Sequence, residues 1–320
     1  MSGISGPGDT PLVGVSSCLL GNNVRYDGGH KLDRFLRDRL GNFVRFVPVC
    51  PEVECGLSIP REAMRLVNTG DAIKLLTQKT QIDITPRMSS WAEQKITDLK
   101  KLPLCGFIFK SKSPSSGMKG VKVYTEKGGV TKTGVGVFAK AFMEAFPDLP
   151  VEDEGRLNDD GIRENFIERL FVRHRWLKML DEGFTRGKLV EFHARHKLIL
   201  MAHSPAGQNE LGRIVASPLD TPALIRDYHQ KLMQTLALKA TVKKNTNVIQ
   251  HIAGYFKKVL NPREKAELVR VTEDYYNGLV PLIVPVTLLK HYVMLHGPAY
   301  LENQFYLNPH PMELMLRNHA

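Results

Sequence analysis

Residues 13–28 read VGVSSCLLGNNVRYDG, a β-branched apolar run that ends in a cysteine and continues into glycine, asparagine and charged residues. The apolar part predicts a buried strand, and the glycine and asparagine residues predict a loop directly after it. Cys18 is therefore placed at the carboxyl end of a strand. Open parallel sheets form their binding sites at that end, so the residues that follow the other strands become informative.

Two further predicted strands are followed by residues with reactive or hydrogen-bonding side chains. FVRFVPVC at 43–50 ends in Cys50, and Glu52 follows two residues later. CGFIFKSK at 105–112 runs into the serine-rich turn SPSSG at 113–117. Three segments that are distant in sequence thus carry two thiols, a carboxylate and several hydroxyls to one predicted edge of a sheet. We expect a single pocket at this edge.

Four cysteines are too few for a disulfide framework in a chain of 320 residues, so reduced thiols or metal ligands are expected. Cys105 begins its strand, and at about 3.3 Å per residue it lies roughly 20 Å from the far end. We therefore interpret Cys105 as a core residue. Cys55 follows Cys50 by five positions, which is not the close spacing of a zinc knuckle.

The rest of the first half alternates short apolar runs with helical stretches. AIKLLT at 72–77 and VKVYT at 121–125 predict strands, and SSWAEQKITDLKKL at 89–102 predicts a helix. Alternating strands and helices are typical of an α/β fold. We predict an α/β domain over residues 1–150, built on a mostly parallel open sheet. The acidic segment DLPVEDEGRLNDD at 148–160 is the predicted connection to a second domain.

Residues 161–320 carry helical spacing only, which predicts an all-α domain. This half holds 22 Lys and Arg against 14 Asp and Glu, a net charge of +8 out of +11 for the whole chain. Nine basic and two acidic side chains fall within residues 231–270. Such a concentration suits a polyanion, because each neutralised phosphate releases condensed counterions. A solvated helix face is the alternative interpretation.

Five lysines in this basic stretch are candidate RNA-binding residues. They lie on either side of the predicted helix NVIQHIAGYFKKVL at 247–260, and a rise of about 1.5 Å per residue separates the two groups by roughly 20 Å. Lys239, Lys243 and Lys244 precede the helix, and Lys257 and Lys258 lie near its end.

The composition predicts a soluble, cytoplasmic protein without a membrane partner. The N-terminal residues MSGISGPGDTP lack the basic and apolar regions of a signal peptide. GLVPLIVPVTLL at 278–289 is the longest apolar stretch, and it is interrupted by two prolines and too short to span a bilayer.

Four ordered motifs in this chain resemble the thiouracil desulfidase family. They are CLLGNNVRYDGGHK, VCPEVECGLSIPRE, GFIFKSKSPSSG and VYTEKGGVTKTGVGVFAKAF. From DLPVEDEGRLND onward the chain resembles the helical domain that is often fused to this family, so the resemblance covers nearly the whole sequence. The fused form implies removal of sulfur from thiouridine, in particular from 4-thiouridine of tRNA.

The resemblance implies a [4Fe–4S] cluster held by three cysteines, with one iron left open for the substrate sulfur. Two of the ligand positions match Cys18 and Cys50, but the third belongs to the motif SPSCG, where this chain has Ser116. A serine alkoxide is a rare and harder ligand for iron. Three explanations are open: an engineered or otherwise inactivating Cys→Ser change, substitution by Cys55, or a labile cluster. The intact surrounding motif favours the first.

Replacing sulfur by oxygen at a thiocarbonyl is formally a hydrolysis without net redox change. An open iron polarises the carbon–sulfur bond as a Lewis acid, water needs a base, and the departing sulfide benefits from an acid. Glu52 is the predicted acid–base residue, and Ser113 is predicted to orient the base or the water. The alternatives are a helix N-terminal carboxylate for Glu52 and a turn hydroxyl for Ser113.

The leading prediction is therefore an iron–sulfur desulfidase that acts on tRNA or on a thiolated nucleoside and leaves uridine and sulfide. Two other functions stay open. One is a free-base thiouracil desulfidase, and the other is a non-catalytic reader that binds thiolated RNA, which Ser116 would favour.

Overall fold

A computed structural model describes residues 10–125 and 128–319 of the chain. The chain divides into two compact units, Met1–Asp159 and Asp160–Ala320. The stretch MSGISGPGDTP, in which the sequence predicts no signal peptide, lies mostly outside the described residues. Within the described ranges, no helix has both the length and the apolar character that crossing a membrane requires.

The first unit contains eight strands and three α-helices among its described residues. In chain order they are β1 (Leu12–Ser16), β2 (Arg45–Val49), α1 (Pro51–Glu54), β3 (Met64–Asn68), β4 (Ile73–Thr77), α2 (Thr85–Lys100), β5 (Leu104–Phe109), β6 (Val121–Thr125), β7 (Val130–Gly134), α3 (Val137–Ala145) and β8 (Val151–Asp153).

A four-stranded sheet with the order β2-β1-β5-β8 is parallel throughout. This confirms the prediction of an α/β unit on a mostly parallel open sheet. β8 lies within residues 148–160, the segment predicted to connect the domains, so the start of this segment belongs to the first unit and the two units divide at its end, after Asp159. Phe107 of β5 pairs with Val151 of β8, and Leu149 is buried in the core, which explains why the segment belongs to the sheet.

A second sheet, with the order β4-β3-β6-β7, was not predicted. It is mixed: β3 runs parallel to β6, while β4 and β7 are antiparallel to their neighbours. The strands predicted at 72–77 and 121–125 exist, but they belong to this sheet and not to the parallel one. Most of β7 is exposed, which removes the apolar alternation that identifies a strand in sequence.

Aromatic side chains join α3 to the parallel sheet. Phe107 and Phe109 of β5 pack against Phe138 and Phe142 of α3, with ring centroids 4.6–6.3 Å apart. Gly14 of β1 makes this possible, because a Cβ atom there would lie 2.2 Å from the Phe107 ring. The core of the first unit thus fixes β1 and β5 side by side, which brings their carboxyl ends together.

All regular elements of the second unit between residues 160 and 319 are helical, as predicted. They include α4 (Asp160–Asp181), α5 (Arg186–His203), α6 (Pro205–Val215), α7 (Thr221–Ala237), α8 (Val242–Tyr255), α9 (Pro262–Tyr276), α10 (Ile283–His296) and α11 (Ala299–Glu302). α6 contains two glycines, and α10 has Pro285 in its first turn. Proline is tolerated there because the first amide groups of a helix have no partner within it.

A buried charge cluster, formed by Glu164, Glu168, His203 and Arg317, lies in this unit. Arg317 donates from Nε to Glu164 at 3.2 Å and from Nη2 to Glu168 at 3.4 Å. His203 places Nε2 2.5 Å from Glu168 Oε1 and Nδ1 2.5 Å from the Leu238 carbonyl oxygen. Both partners are hydrogen-bond acceptors, so each ring nitrogen of His203 faces an oxygen.

Candidate active site

A cavity of about 360 Å³ opens at the carboxyl ends of β1, β2 and β5. All five residues that the sequence predicted as ligands or catalytic groups lie on its wall: Cys18, Cys50, Glu52, Ser113 and Ser116. The structure therefore brings the three sequence segments together, while the roles of these residues stay predictions.

Cys18 sits in a 3₁₀ turn, Ser17–Leu20, that directly follows β1. The turn ends at Gly21 with a φ of 94°, a left-handed conformation that favours glycine, and the Cys18 carbonyl accepts the Lys31 amide at 2.9 Å. Burial, followed by the charge of Glu52, raises the pKa of the Cys18 thiol to about 11. Without a bound cation this thiol is therefore protonated at neutral pH.

Cys50 is the residue that precedes α1, and Pro51 starts the helix. Its sulfur lies 3.5 Å from Glu52 Oε2 and 3.8 Å from the Val24 carbonyl oxygen. Burial, again followed by the charge of Glu52, raises the pKa of Cys50 to about 12. A cation bound between the two thiols would reverse this preference, because it favours the thiolate form.

The Glu52 carboxylate is held from two sides. Its Oε1 accepts a hydrogen bond of 2.5 Å from Ser115 Oγ, and its Oε2 lies 3.4 Å from Arg61 Nη2. The same Arg61 nitrogen donates to the Val24 carbonyl at 2.8 Å, whereas the buried Arg61 Nε has no partner among the described residues. The geometry therefore fixes Glu52 beside Cys50 at the cavity wall.

Ser115 connects Glu52 to the serine turn, and sequence reasoning missed it. Its hydroxyl lies 2.9 Å from Ser113 Oγ and 3.4 Å from Ser116 Oγ. Ser113 Oγ also accepts the amide groups of Ser115 and Ser116 at 3.3 and 3.2 Å, so it does act as a turn hydroxyl. Three hydroxyls in SPSSG were visible in the sequence, but which of them faces Glu52 depends on the turn.

The serine turn is anchored to the start of α3. The Pro114 and Ser115 carbonyls accept the first amide groups of that helix, from Val137 at 3.2 Å and Phe138 at 2.9 Å. Gly136 allows this approach, because a Cβ atom there would lie 2.5 Å from the Ser115 carbonyl carbon. The position of the serines is thus set by a helix that contributes no group to the cavity.

The two remaining cysteines do not line this cavity. Cys55 packs in the core under the second sheet with Leu66, Met88 and other apolar side chains, and its sulfur lies 3.3 Å from the Glu52 carbonyl oxygen. This placement argues against Cys55 as a substitute ligand. Cys105 is fully buried at the start of β5. All four cysteines are described, and they form no disulfide.

The donor set of the cavity matches an iron–sulfur cluster at two of three positions. Cys18 and Cys50 supply thiols, which are the usual ligands of such clusters in their ionised form. Ser116 supplies a hydroxyl at the third position, and it is 3 % exposed. In the described part of the chain, no three His, Cys, Asp or Glu side chains are grouped so that they could hold a metal ion.

The candidate RNA-binding lysines are arranged differently from the prediction. α8 begins at Val242, so Lys243 and Lys244 lie in its first turn and do not precede it. The Lys244 ammonium donates to the backbone carbonyls of His203 and Lys239 at 2.6 and 3.0 Å. The other four lysines, at positions 239, 243, 257 and 258, are exposed.

A known family model matches part of each unit. The model of the 2-thiouracil desulfurase family matches residues 13–154, and a domain of unknown function, DUF1722, matches residues 197–311. YbbK of Bacillus subtilis, an uncharacterized protein, is 31% identical over 154 residues, which are 46% of this chain and 99% of YbbK. The chain belongs to the 2-thiouracil desulfurase family. It is thus a member of a family of desulfidases that act on thiouracil.

Two further similarities each cover about half of the chain. The uncharacterized protein YbgA of Escherichia coli K12 is 32% identical over 158 residues, which are 48% of this chain and 94% of YbgA. Among solved structures, the [4Fe-4S]-dependent thiouracil desulfidase TudS is 28% identical with a TM-score of 0.39, covering 47% of this chain and 95% of TudS.

Proposed function

We propose that the chain is an iron–sulfur-dependent, non-redox desulfidase that removes sulfur from 4-thiouridine in tRNA and leaves uridine and sulfide. The observation that carries this proposal is the meeting of two thiols, Glu52 and the serine turn at one cavity. Membership of the 2-thiouracil desulfurase family supports a thiolated uracil ring as the reacting group. The net positive charge of the helical unit supports RNA as the molecule that carries this ring.

Cys18 and Cys50 would hold a [4Fe–4S] cluster through thiolates, with Ser116 facing the third ligand position. When bound, the cluster would supply an open iron that polarises the carbon–sulfur bond as a Lewis acid. The protein contributes a cavity in which these two residues follow the ends of two neighbouring strands, β1 and β2.

Glu52 is the group that moves protons. Water adds at the thiocarbonyl carbon and loses a proton, the carbon–sulfur bond breaks, and the sulfur leaves as sulfide after gaining protons. Glu52 lies at the cavity wall, 3.5 Å from the Cys50 sulfur, where it can accept the proton from water and return it to the leaving sulfur. The Ser115 hydroxyl and Arg61 hold the carboxylate in place, and Ser113 positions Ser115.

Exposed lysines near both ends of α8 would contact the tRNA backbone. The helix has 14 residues, so its ends lie about 20 Å apart, which suits phosphates that are well separated along a strand. Lys239 and Lys243 lie near one end, and Lys257 and Lys258 follow the other. Lys244 supports the fold through backbone carbonyls.

Ser116 favours a second candidate function, a protein that binds thiolated RNA without cleaving the carbon–sulfur bond. A hydroxyl at the third ligand position weakens the case for a stable cluster, while the cavity and the basic unit would still bind a thiolated nucleotide. The two functions differ in whether sulfide is released.

Anaerobic reconstitution with iron and sulfide tests the proposal. We expect Cys18→Ala and Cys50→Ala to abolish iron binding, and the buried Cys105→Ala to leave iron content unchanged as the matched control. Ser116→Cys should raise iron content, visible absorbance and sulfide release from tRNA that contains 4-thiouridine. The measurements are iron and acid-labile sulfide per chain, and sulfide released per turnover.

Each other outcome has a separate meaning. No gain of iron with Ser116→Cys would contradict the assignment of three ligand positions. Sulfide release from free 4-thiouracil but not from tRNA would favour the free-base desulfidase. Tight binding of thiolated tRNA without sulfide release, even with Ser116→Cys, would favour the non-catalytic reader.

A further inference from the structure

The solvent face of α8 carries a row of side chains that are spaced by four residues. Its members are all exposed: Lys243, Asn247, His251 and Tyr255. Positions four residues apart lie one above the other on one face of a helix. At a rise of about 1.5 Å per residue, neighbouring members of the row are about 6 Å apart along the axis. The row therefore begins with a cation and ends in two aromatic rings.

Tyr255, the last member of this row, is backed by a second tyrosine ring. It stacks on Tyr300 of α11, with the ring centroids 5.7 Å apart and the planes at 25°. The His251 ring lies at 75° to the Tyr255 ring, again with centroids 5.7 Å apart. The Tyr300 hydroxyl is buried and has no hydrogen-bond partner among the described residues, so Tyr300 contributes its ring and not its polar end. These contacts restrict the orientation of Tyr255, while 44% of the residue remains exposed.

Gly254 leaves open space on the helix surface beside Tyr255. Its backbone is not in the left-handed region that favours glycine, and nothing beyond its own helical turn lies within 4 Å of a Cβ atom built there. Alanine would therefore fit, and it would favour the helix more than glycine does. The glycine instead leaves this position without a side chain, so that a flat molecule can approach the exposed tyrosine ring.

The charges at both ends of the row are positive. Lys257 and Lys258 follow the exposed tyrosine within three positions, Lys243 stands at the other end, and all three are exposed. None of these lysines takes part in an ion pair within the described ranges. The sequence contains no acidic residue between Asp227 and Glu264. Unneutralised cations on one surface attract a polyanion, because its phosphates release counterions when they bind.

We infer that Tyr255, backed by Tyr300, is a stacking platform for an unpaired nucleobase of an RNA strand. Aromatic side chains bind single strands in this way because every base has a flat face, whereas the bases of a duplex are stacked on one another. The inference rests on the proposed function and makes its RNA partner more specific: the RNA is unpaired where it meets α8. An unpaired segment also agrees with the chemistry of the thiol cavity, since a base can enter it only after leaving its own stack.

Binding of RNA that contains no sulfur tests the platform without any desulfidation. Fluorescence anisotropy with the full-length chain compares a single-stranded oligouridylate with an RNA duplex of equal charge, at several salt concentrations. Tyr255→Ala should weaken single-strand binding about tenfold or more and leave duplex binding and the salt slope unchanged, because no phosphate contact is lost. Tyr255→Phe should bind like the parent protein. Tyr276→Ala, which removes an exposed tyrosine at the end of α9, is the matched control and should also bind like the parent.

Gly254→Leu is a second variant that leaves both tyrosine rings in place. Leucine favours the helix, but its side chain fills the open space beside Tyr255 and should weaken single-strand binding by a similar factor. Circular dichroism and thermal unfolding show whether each variant is folded. If Tyr255→Ala does not fold, Gly254→Leu decides the test alone.

The outcomes separate the platform from the proposed function. Single-strand binding that is absent in the parent protein, unchanged in Tyr255→Ala, or lost equally with duplex binding would overturn the platform, even if sulfide release proves the proposed function correct. A lower salt slope in Tyr255→Ala would also overturn it, because the ring carries no charge. A preference for single strands that depends on Tyr255, in a chain that releases no sulfide from thiolated tRNA, would uphold the platform while the proposed function fails.

Discussion

Glu52 in the first unit and Glu168 in the second are both largely buried carboxylates with an arginine nitrogen 3.4 Å from one oxygen. Their other neighbours differ. Glu168 also contacts the His203 imidazole, and Arg317 bonds through all three of its guanidinium nitrogens, to Glu164, Glu168 and a backbone carbonyl. Glu52 instead accepts a bond from a neutral hydroxyl and lies beside a thiol.

The consequence for Glu168 is a permanent negative charge. Burial by itself raises the pKa of this carboxyl, but the hydrogen bond and charge of His203, together with Arg317, lower it to about 2. Such a group cannot exchange protons near neutral pH, and its value to the protein is structural. Glu52 has fewer cationic partners, lines the cavity of about 360 Å³ and is 17% exposed against 6% for Glu168. A largely buried carboxylate can thus take part in proton transfer when the protein does not use all of its hydrogen-bonding capacity.

The largest expected effect is on stability, and it follows from removing the arginine of the buried charge cluster. Arg317→Met should lower the free energy of unfolding of the second unit by about 3–5 kcal/mol, because it leaves Glu164 and Glu168 without their shared cation. Urea unfolding followed by Trp176 fluorescence, in a Trp91→Phe background, measures this. Arg270→Met removes an exposed arginine that also contacts two carboxylates, and it should change stability far less. Equal losses of unfolding free energy in the two variants would contradict the buried contacts of Arg317 with Glu164 and Glu168.

The next effect concerns the cavity carboxylate. In the Ser116→Cys background, Glu52→Gln keeps the shape of the side chain but removes its ability to carry protons. We expect the rate of sulfide release to fall by about 10²-fold or more, with iron content and tRNA affinity retained. Glu54→Gln is the control, since Glu54 lies in the same helical turn but outside the cavity wall. Near-normal turnover with Glu52→Gln would make Glu52 structural, like Glu168.

The smallest effect concerns the lysines near α8, whose charges face solvent. Changing Lys239, Lys243, Lys257 and Lys258 to glutamine should weaken tRNA binding and reduce its salt dependence by up to about one unit of log–log slope for each phosphate that is no longer neutralised. Lys244→Gln alone should leave the slope unchanged, because this lysine is occupied by backbone carbonyls. Affinity at several salt concentrations, with circular dichroism to confirm folding, provides the measurement. An unchanged slope in the fourfold variant would identify these lysines as a solvated face.

The parallel sheet could be predicted from sequence because its central strands are buried on both faces. β1 and β5 are continuous apolar runs, and their ends led directly to Cys18 and to the serine turn. β3 and β7 could not be predicted in the same way, since their sequences MRLVN and VTKTG mix polar and apolar residues and depend on pairing with β6. Pairing between distant strands is a tertiary property that short sequence windows do not contain.

The candidate site shows the same division. The strand ends predicted which segments of the chain line the cavity. They did not predict the side-chain contacts between those segments. Ser115 contacts Glu52 because the turn is wound around the Ser113 hydroxyl, and this winding cannot be read from SPSSG.

Gly136 has a consequence for how freely related sequences can change. A methyl group at this position would lie 2.5 Å from a backbone atom of Ser115, which cannot move without taking its hydroxyl away from Glu52. A position with no functional group, on a different segment of the chain, is therefore as restricted as the serines it supports. In an evolutionary record of this family, residue 136 should drift as little as the residues that line the cavity.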